Sequence, residues 1–99
     1  MASSEARAIV LHPADNVATA LSDIAAGGRV RLDQGGRRVR VEVREAIPRG
    51  HKFSLADLAA GEAVIKYGEK IGRTIADIPA GALVHTKNLE SERGRGDRR

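Results

Sequence analysis

One short motif occurs three times in the chain, and it limits the possible folds more than any other feature. In each copy an Asp precedes an apolar residue, a tight turn ends in Ala-Gly, and a Val-containing segment follows. The copies occupy residues 23–30, 57–64 and 77–84, and residues 47–50 resemble a degenerate fourth turn. Glycine readily adopts the positive φ that such turns require. The copies are unequally spaced, which excludes a solenoid and predicts short strands joined by turns that fold back over each other.

The number and type of apolar residues agree with a fold of short strands and turns. The chain has 99 residues, enough for one domain, and only one Tyr and one Phe, so its core must consist of Val, Ile, Leu and Ala. The absence of Cys excludes disulfides, Cys-based metal sites and thiol nucleophiles. We expect a mainly β domain over residues 8–91, a flexible N-terminus at 1–7 and a disordered charged tail at 92–99. Because no apolar run reaches the length of a signal peptide or a bilayer span, a cytoplasmic location is expected.

The positive charge of the chain is concentrated in one segment. Residues 29–44 contain six Arg against Asp33 and Glu42, which accounts for the whole net charge of +4. The Arg alternate with Val and Leu, and residues 33–36 (DQGG) have turn chemistry, so the segment is predicted to be a β-hairpin with one solvated face. No aromatic residue is interleaved for base stacking, which disfavours nucleic-acid binding, although salt-dependent retention on heparin or DNA would reveal it.

Two helical elements are predicted. Asp15 or Asn16 can cap a helix that carries apolar residues at 17, 20, 21 and 24 on one face and ends near Gly27. Ser54 and Asp57 are three residues apart, the spacing of a capped single turn.

The candidate catalytic and binding residues lie near three histidines in the sequence. His12 precedes the predicted helix N-terminus, His51 lies in a Gly-His-Lys turn, and His85 shares a strand face with Lys87. A His and a Lys on one face can bind a carboxylate and transfer a proton. Lys66 and Tyr67 form a further candidate pair. Ordinary turn polarity is the alternative for each, and spacing alone does not decide between them.

Four blocks in order carry a resemblance to a known family. They are residues 12–18 (HPADNVA), 50–55 (GHKFSL), 64–72 (VIKYG followed by IG) and 84–89 (VHTKNL). Together they resemble the N-terminal SAF domain of the altronate/galactarate dehydratase family, from about residue 9 to 91. The resemblance implies a β-clip, a strand-rich hairpin folded on itself, with one short N-terminal helix.

The same resemblance implies a function. Family members dehydrate sugar acids to 2-keto-3-deoxy acids, and they usually carry this domain ahead of a much larger catalytic region. The chain is therefore expected to be a small hydro-lyase subunit, inactive alone, that works with a larger catalytic subunit on a sugar-acid substrate. A two-subunit sulfolactate sulfo-lyase has a similar small subunit and is the first alternative. A non-catalytic SAF-type binding module is the second. A homodimer is possible, and no nucleic-acid or membrane partner is expected.

The resemblance also implies site residues and a cofactor. His12, His51 and His85 are the proton-transfer candidates, with the division of roles among them open. Residues suited to substrate binding are Asp15, Asn16, Lys52, Lys66, Tyr67, Lys87 and Asn88. A divalent metal (Fe²⁺, Mn²⁺ or Mg²⁺) is expected in the holoenzyme, held mostly by the partner subunit. The family's last block often has a second His where this chain has Lys87, so a His pair for the metal is broken here.

Overall fold

The computed structural model describes residues 6–91, and in this range the chain consists of nine short strands and no helix. The mainly β class is confirmed. The strands are β1 (Ala8–Ile9), β2 (Val17–Ala20), β3 (Arg29–Gln34), β4 (Arg37–Glu42), β5 (Lys52–Ser54), β6 (Ala63–Lys66), β7 (Glu69–Thr74), β8 (Leu83–Val84) and β9 (Leu89–Ser91). No membrane-spanning helix is found in the part of the chain that the structure describes. The predicted flexible N-terminus and charged tail lie outside the described residues, except for Ala6 and Arg7.

The strands form three antiparallel sheets. A central sheet has the order β1-β2-β5-β8, and it lies between the two-stranded hairpin β3–β4 and the three-stranded sheet β6-β7-β9. Because successive residues of a strand point to opposite faces, β2 and β8 contribute to two cores. Ala18 and Phe53 pack on one side with β3 and β4. Val17 and Val84 pack on the other side with Val64 of β6.

The repeated motifs form turns that pair across the molecule. The first turn pairs with the degenerate fourth, where Ile24 and Ile47 exchange backbone hydrogen bonds of 2.9 and 2.8 Å. The second pairs with the third, where Leu58 and Ile78 exchange bonds of 2.7 and 2.8 Å. All four of these apolar residues are almost fully buried. The motif therefore places an apolar anchor in the core and a glycine with positive φ at the tip of each turn.

The Asp of each motif caps a turn, which was not predicted from the sequence. The turn that it caps is the one paired with its own turn. Asp57 accepts a hydrogen bond from the backbone N–H of Ala80, and Asp77 accepts one from Ala60, each at 2.9 Å. Asp23 does the same for Arg49 in the fourth turn, also at 2.9 Å. These caps satisfy backbone donors that the tight turns leave without a strand partner.

The hairpin predicted over residues 29–44 is confirmed. Strands β3 and β4 pair in continuous register, their apolar side chains are buried or partly buried, and all six arginines of the segment are exposed. The two-residue tip, Gly35-Gly36, has φ of 60° and 86°. Positive φ at both central positions is the signature of a type I′ turn, whose twist matches that of the two strands.

The predicted N-terminal helix is wrong. Residues 17–20 form the interior strand β2, and the segment bends before the turn at residues 25–28. Val17, Ala18 and Ala20 are each only 1% exposed because both faces of β2 are covered. The single helical turn predicted for Ser54 and Asp57 is also wrong. Ser54 ends β5 and bonds to the backbone of residue 56, and residues 55–56 form a bend.

Candidate functional site

The His12-bearing loop, residues 12–16, lies between the tips of the two long hairpins. On one side Nε2 of Gln34 donates to the carbonyls of Pro13 and Asp15, at 3.1 and 2.7 Å. Gly35 of the same tip touches Pro13 so closely that a Cβ on it would lie 2.9 Å from the proline Cβ. The first hairpin therefore holds the loop by both side-chain hydrogen bonds and van der Waals contact.

The second hairpin holds the same loop from the other side. The backbone N–H of Gly68 donates to Oδ1 of Asp15 at 2.8 Å. A Cβ on Gly68 would lie 2.8 Å from Cδ2 of His12, so only a glycine lets the imidazole approach this tip. Gly68 also has a φ of 77°, which L side chains rarely adopt. The tip consequently fixes both the ring of His12 and the carboxylate of Asp15.

The tautomer of His12 follows from its local hydrogen bonds. Its Nδ1 accepts a hydrogen bond from the backbone N–H of Ala14 at 3.0 Å, and its carbonyl accepts one from Asp15 at 3.0 Å. In a neutral imidazole the nitrogen that accepts such a bond carries no proton. The ring proton of His12 therefore sits on Nε2, which makes that atom a hydrogen-bond donor on an exposed residue.

His85 repeats the same local geometry at the other end of the chain. Its Nδ1 accepts from the backbone N–H of Lys87 at 3.0 Å, and its carbonyl accepts from Asn88 at 3.0 Å. The Nε2 of His85 is therefore also the protonated nitrogen. His85 is partly buried, whereas the side chain of Lys87 is exposed.

Two of the predicted substrate-binding residues, Asn16 and Asn88, direct their amides to the backbone. Oδ1 of Asn16 accepts from Ile65 N at 2.8 Å and its Nδ2 donates to the carbonyl of Ala63 at 2.9 Å. Asn88 does the equivalent with His85 N, at 2.8 Å, and with the carbonyl of residue 83, at 2.9 Å. Both amides thus position the loops that carry the histidines.

Asp15 is the buried acid of the cluster. It is 5% exposed, and among the described residues its Oδ2 has no hydrogen-bond partner. A buried carboxylate oxygen without a partner is unfavourable. Oδ2 of Asp15 therefore remains an open hydrogen-bond acceptor among the described residues.

Two lysines lie close enough to influence each other, and one of them, Lys66, directly precedes the Tyr67-Gly68 tip that contacts the His12 loop. Lys52 lies in the interior strand β5, level with Thr19 on one side and Val84 on the other. Burial lowers the pKa of Lys52, and the nearby positive charge of Lys66 lowers it further. Two ammonium groups that are close enough to influence each other form a natural site for an anion.

Tyr67 completes this surface and is under backbone strain. It occupies the first tip position of hairpin β6–β7 with a φ of 55°, the sole non-glycine residue in the described range with positive φ. Nζ of Lys66 lies 4.9 Å from the centre of its ring, which is within range of a cation–π interaction. We call Lys52, Lys66, Tyr67, His12 and Asp15 the Lys-Tyr cluster.

The remaining predicted residue, His51, lies just outside this cluster. It is exposed and directly precedes Lys52, and its carbonyl accepts from Ala20 N at 2.9 Å. Since Lys52 pairs with Val84 in antiparallel register, one further step brings His51 level with His85. Of the three histidines, His12 therefore belongs to the Lys-Tyr cluster, whereas His51 and His85 lie at its edge.

The described residues do not fit a divalent metal on their own. Within residues 6–91 no group of three His, Asp or Glu side chains gathers around one point. His12 and His85 each offer only Nε2, since Nδ1 is occupied in both. Hard divalent cations need several oxygen or imidazole ligands together. We therefore derive no step through a metal.

In the Lys-Tyr cluster, His12 and Tyr67 are exposed and the two lysines are partly buried. A groove of about 580 Å³ runs instead along the paired turns, where none of the predicted site residues lies. Its lining consists of Arg44, Asp57, Leu58, Ala59, Glu62, Asp77, Ile78 and Pro79. A surface that presents charged groups without enclosing them can bind a small substrate tightly only if another chain closes over it.

The sequence did not predict that Gln34 and the tip glycines, Gly35 and Gly68, contact the His12 loop. Each acts on a loop 19 or more residues away in sequence. The only sequence feature that pointed to these residues was the position of the two Gly-containing hairpin tips. It indicates hairpins but does not say what the tips contact.

The model of the altronate/galactarate dehydratase SAF domain matches residues 6–92. The chain therefore belongs to that family.

Relatives show where this domain occurs. The chain is 49% identical over 83 residues to altronate dehydratase of Escherichia coli, which covers 84% of the chain and 16% of that enzyme. It is 37% identical over 76 residues to a galactarate dehydratase of the same organism. It is 38% identical over 89 residues to the alpha subunit of a (2R)-sulfolactate sulfo-lyase from Chromohalobacter salexigens, and there the match covers 94% of the relative. The chain thus spans about a sixth of the dehydratases and nearly all of the sulfo-lyase subunit.

Proposed function

We propose that the chain is the small subunit of a sugar-acid hydro-lyase related to altronate dehydratase and that it acts with a larger catalytic subunit. The observation that carries the proposal is the Lys-Tyr cluster, in which Lys66 directly precedes the Tyr67-Gly68 tip that holds the His12 loop and its positive charge reaches Lys52. The 49% identity to altronate dehydratase supports the reaction type. The alpha subunit of the sulfo-lyase, a relative of similar length, supports the separate small subunit.

The chemistry of dehydration explains the residues. A proton leaves the carbon beside the carboxylate, hydroxide leaves the next carbon, and negative charge develops on the carboxylate oxygens. The ammonium groups of Lys52 and Lys66 bind that carboxylate and stabilise the added charge. The Nε2–H of His12 donates a hydrogen bond to the same oxygens, as a neutral imidazole can.

The hydrogen bonds of the histidines support a division of roles among them. His12 and His85 hold their ring proton on Nε2 and accept at Nδ1, so we assign hydrogen-bond donation to both. The ring of His51 makes no hydrogen bond among the described residues and is free to take up a proton and return it. We therefore assign both proton transfers to His51: its ring takes the proton from the carbon beside the carboxylate and delivers it to the departing hydroxide, which leaves as water.

The test is reconstitution with the large dehydratase-like chain from the same genome. The purified chain alone should not dehydrate altronate, and the complex should. Lys52→Ala should lower kcat/KM of the complex at least ~10-fold, because a charge-assisted contact contributes roughly 1.5–3 kcal/mol. His51→Ala should act mainly on kcat. Lys70→Ala, an exposed lysine on β7, is the control and should match wild type. Turnover by the chain alone, or normal kinetics in Lys52→Ala, would reject the proposal.

A sulfo-lyase is the second candidate, because the alpha subunit relative is covered over 94% of its length. Sulfolactate carries a sulfonate as well as a carboxylate, and two neighbouring lysines can bind both anions. Release of sulfite from sulfolactate by the complex, without turnover of altronate, would select this function.

A further inference from the structure

Strand β2 contains one polar side chain, Thr19, that the candidate site does not use. In the register of the central sheet Thr19 lies directly opposite Lys52 of β5, and Lys52 lies directly opposite Val84 of β8. Side chains at opposing positions of an antiparallel pair point to the same face, with Cβ atoms about 4.5–5.5 Å apart. Thr19 and Val84 are therefore the two cross-strand neighbours of Lys52.

The face of the sheet that carries Thr19 is the one that packs against β6. Val17, two residues before Thr19, and Val84 both belong to the core on that side. Val17 and Val84 are each 1% exposed, whereas Thr19 and Lys52 are only partly buried. The apolar core on this face thus ends at Thr19 and Lys52, and both side chains remain accessible to a ligand.

The hydroxyl of Thr19 is not needed by the fold. Within residues 6–91 it makes no hydrogen bond. The other threonine in a strand, Thr74, has a structural hydroxyl, because its Oγ1 donates to the carbonyl of Ala59 at 2.6 Å and accepts from the backbone N–H of Glu62 at 3.0 Å. Valine has nearly the same shape as threonine and also favours strands, so it would suit position 19 equally well. The hydroxyl of Thr19 is therefore available to a ligand.

The two neighbours of Lys52 differ in what they offer to a bound anion. Thr19 presents a hydroxyl, which can both donate and accept a hydrogen bond, whereas Val84 presents only methyl groups. The positive charge of Lys66 also reaches Lys52. An anion held by the Lys52 ammonium thus has a polar neighbour on the β2 side and an apolar one on the β8 side.

A carboxylate beside a carbon that carries a hydroxyl matches this asymmetry. The ammonium of Lys52 makes the charge-assisted contact with the carboxylate, and the hydroxyl of Thr19 bonds to the hydroxyl on the adjacent carbon. In the dehydration this 2-hydroxyl stays on the substrate, and it becomes the enol hydroxyl once the neighbouring proton and the 3-hydroxyl have left. A residue that binds the 2-hydroxyl therefore contacts the substrate throughout the reaction.

We propose that Thr19 is a substrate-binding residue that recognises the 2-hydroxyl group of an acid whose carboxylate is bound by Lys52. The inference rests on the proposed function, because it takes the ammonium of Lys52 as the carboxylate site. It makes Thr19 a determinant of the preference for 2-hydroxy acids over 2-deoxy acids. Altronate and sulfolactate, the two candidate substrates, both carry the 2-hydroxyl.

The experiment compares Thr19→Val, which removes the hydroxyl and keeps the shape, with Thr86→Val, the same change at an exposed turn position. Each full-length variant is assembled with the large subunit. The substrate is whichever of altronate and sulfolactate the wild-type complex turns over, and its 2-deoxy analogue is tested as a competitive inhibitor. Thr19→Val should lower kcat/KM about 5-fold, the size of one neutral hydrogen bond, without raising Ki of the analogue. Thr86→Val should change both constants less than about 2-fold.

Two further variants complete the comparison. Thr19→Ser retains a hydroxyl and should recover most of the kcat/KM that Thr19→Val loses. Circular dichroism and thermal melting check that the variants fold. If Thr19→Val does not fold, Thr19→Ala removes the hydroxyl in its place and should show the same pattern.

The other outcomes are distinguishable. Unchanged kcat/KM in Thr19→Val overturns the assignment of Thr19 and leaves the proposed function standing. An equal weakening of substrate and 2-deoxy analogue also overturns it, since the loss would then not depend on the 2-hydroxyl. The same conclusion follows if Thr19→Ser is as impaired as Thr19→Val, or if Thr86→Val has an equal effect. A wild-type complex that turns over neither substrate overturns the proposed function and the assignment of Thr19 together.

Discussion

The two long hairpins have the same backbone at their tips and different side chains there. Both tips consist of two residues with positive φ, and both touch the loop of residues 12–16. In β3–β4 the tip is Gly35-Gly36, whereas in β6–β7 its first residue is Tyr67. A non-glycine residue in this region is destabilised by roughly 1–2 kcal/mol. The tip of β3–β4 thus contacts the loop without presenting a side chain. The tip of β6–β7 contacts the loop and also presents the Tyr67 side chain, which lowers the stability of the fold.

The hairpins also differ in what surrounds them. Strand β7 pairs with β9 as well as with β6, and the β6–β7 register shifts between Val64 and Ile65. Hairpin β3–β4 stays two-stranded with a regular register. A bulge increases local twist and redirects side chains, and this one lies two residues before Tyr67 and next to Lys66. The irregular hairpin therefore carries Lys66 and Tyr67 of the Lys-Tyr cluster, and the regular one carries a row of exposed arginines.

The largest difference between the hairpins is expected at the second tip position. Gly68→Ala should lower the free energy of unfolding by about 2 kcal/mol, because the new Cβ adds a clash with the His12 ring to the strain of positive φ. Gly36→Ala should lower it by only about 1 kcal/mol, since a Cβ there meets no atom within 4 Å. Urea denaturation measures both. Equal losses would show that the contact between the tip and His12 contributes nothing.

A smaller effect of opposite sign is expected at the first tip position. Tyr67→Asn should raise the free energy of unfolding by about 0.5 kcal/mol, because Asn tolerates positive φ and the gain exceeds the loss of an exposed cation–π contact. The same variant should lower kcat/KM of the reconstituted complex. Tyr67→Phe, which keeps the ring and the strain, is the control and should leave stability unchanged. A marked destabilisation by Tyr67→Asn would make the tyrosine a structural residue.

The smallest effect concerns the charge that the second hairpin places near Lys52. Lys66→Gln should raise the pKa of Lys52 toward its ordinary value of 10.5 without restoring it, because burial remains the larger cause of the shift. Lys70→Gln on the same hairpin should not change it. Amine labelling of Lys52 as a function of pH measures the shift. An unchanged labelling profile in Lys66→Gln would show that the charge of Lys66 does not influence the pKa of Lys52.

The direction of that pKa shift also fixes its effect on stability. Since the folded pKa of Lys52 lies below the unfolded value, protonation opposes folding. The contribution of Lys52 to the free energy of unfolding is therefore most favourable above pH 10.5. It declines as the pH falls through 10.5 toward the folded pKa, and it is constant below that value.

The sequence predicts the fold where local chemistry decides it. The alternation of Arg with Val and the Gly-Gly tip were sufficient for hairpin β3–β4. They were not sufficient for β2, because a strand that is buried on both faces has no alternation, and its apolar spacing imitates a helix. Asn16 looked like a helix cap, but it bonds to the backbone of β6, which is 47 residues away at Ala63. That contact exists only after the chain has folded.

The candidate site was predictable in its residues and not in their arrangement. Block by block, the sequence indicated the histidines and lysines. It could not show that Gln34 and Gly68 hold the loop of residues 12–16 from two sides, since both contacts join distant segments. It also could not separate Asn16 and Asn88, which bond to backbone, from Lys52, which is the chemically available group.

The grip of both hairpins on residues 12–16 has a consequence for binding entropy. Ordering the backbone of a flexible loop opposes binding by roughly 1–2 kcal/mol for each residue that is fixed. Here Gln34 and Gly68 order the loop during folding, before any ligand arrives. The conformational entropy of the loop is therefore lost during folding, and its loss does not weaken ligand binding. A ligand that contacts His12 meets a preorganised loop, and its association rate is not limited by loop closure.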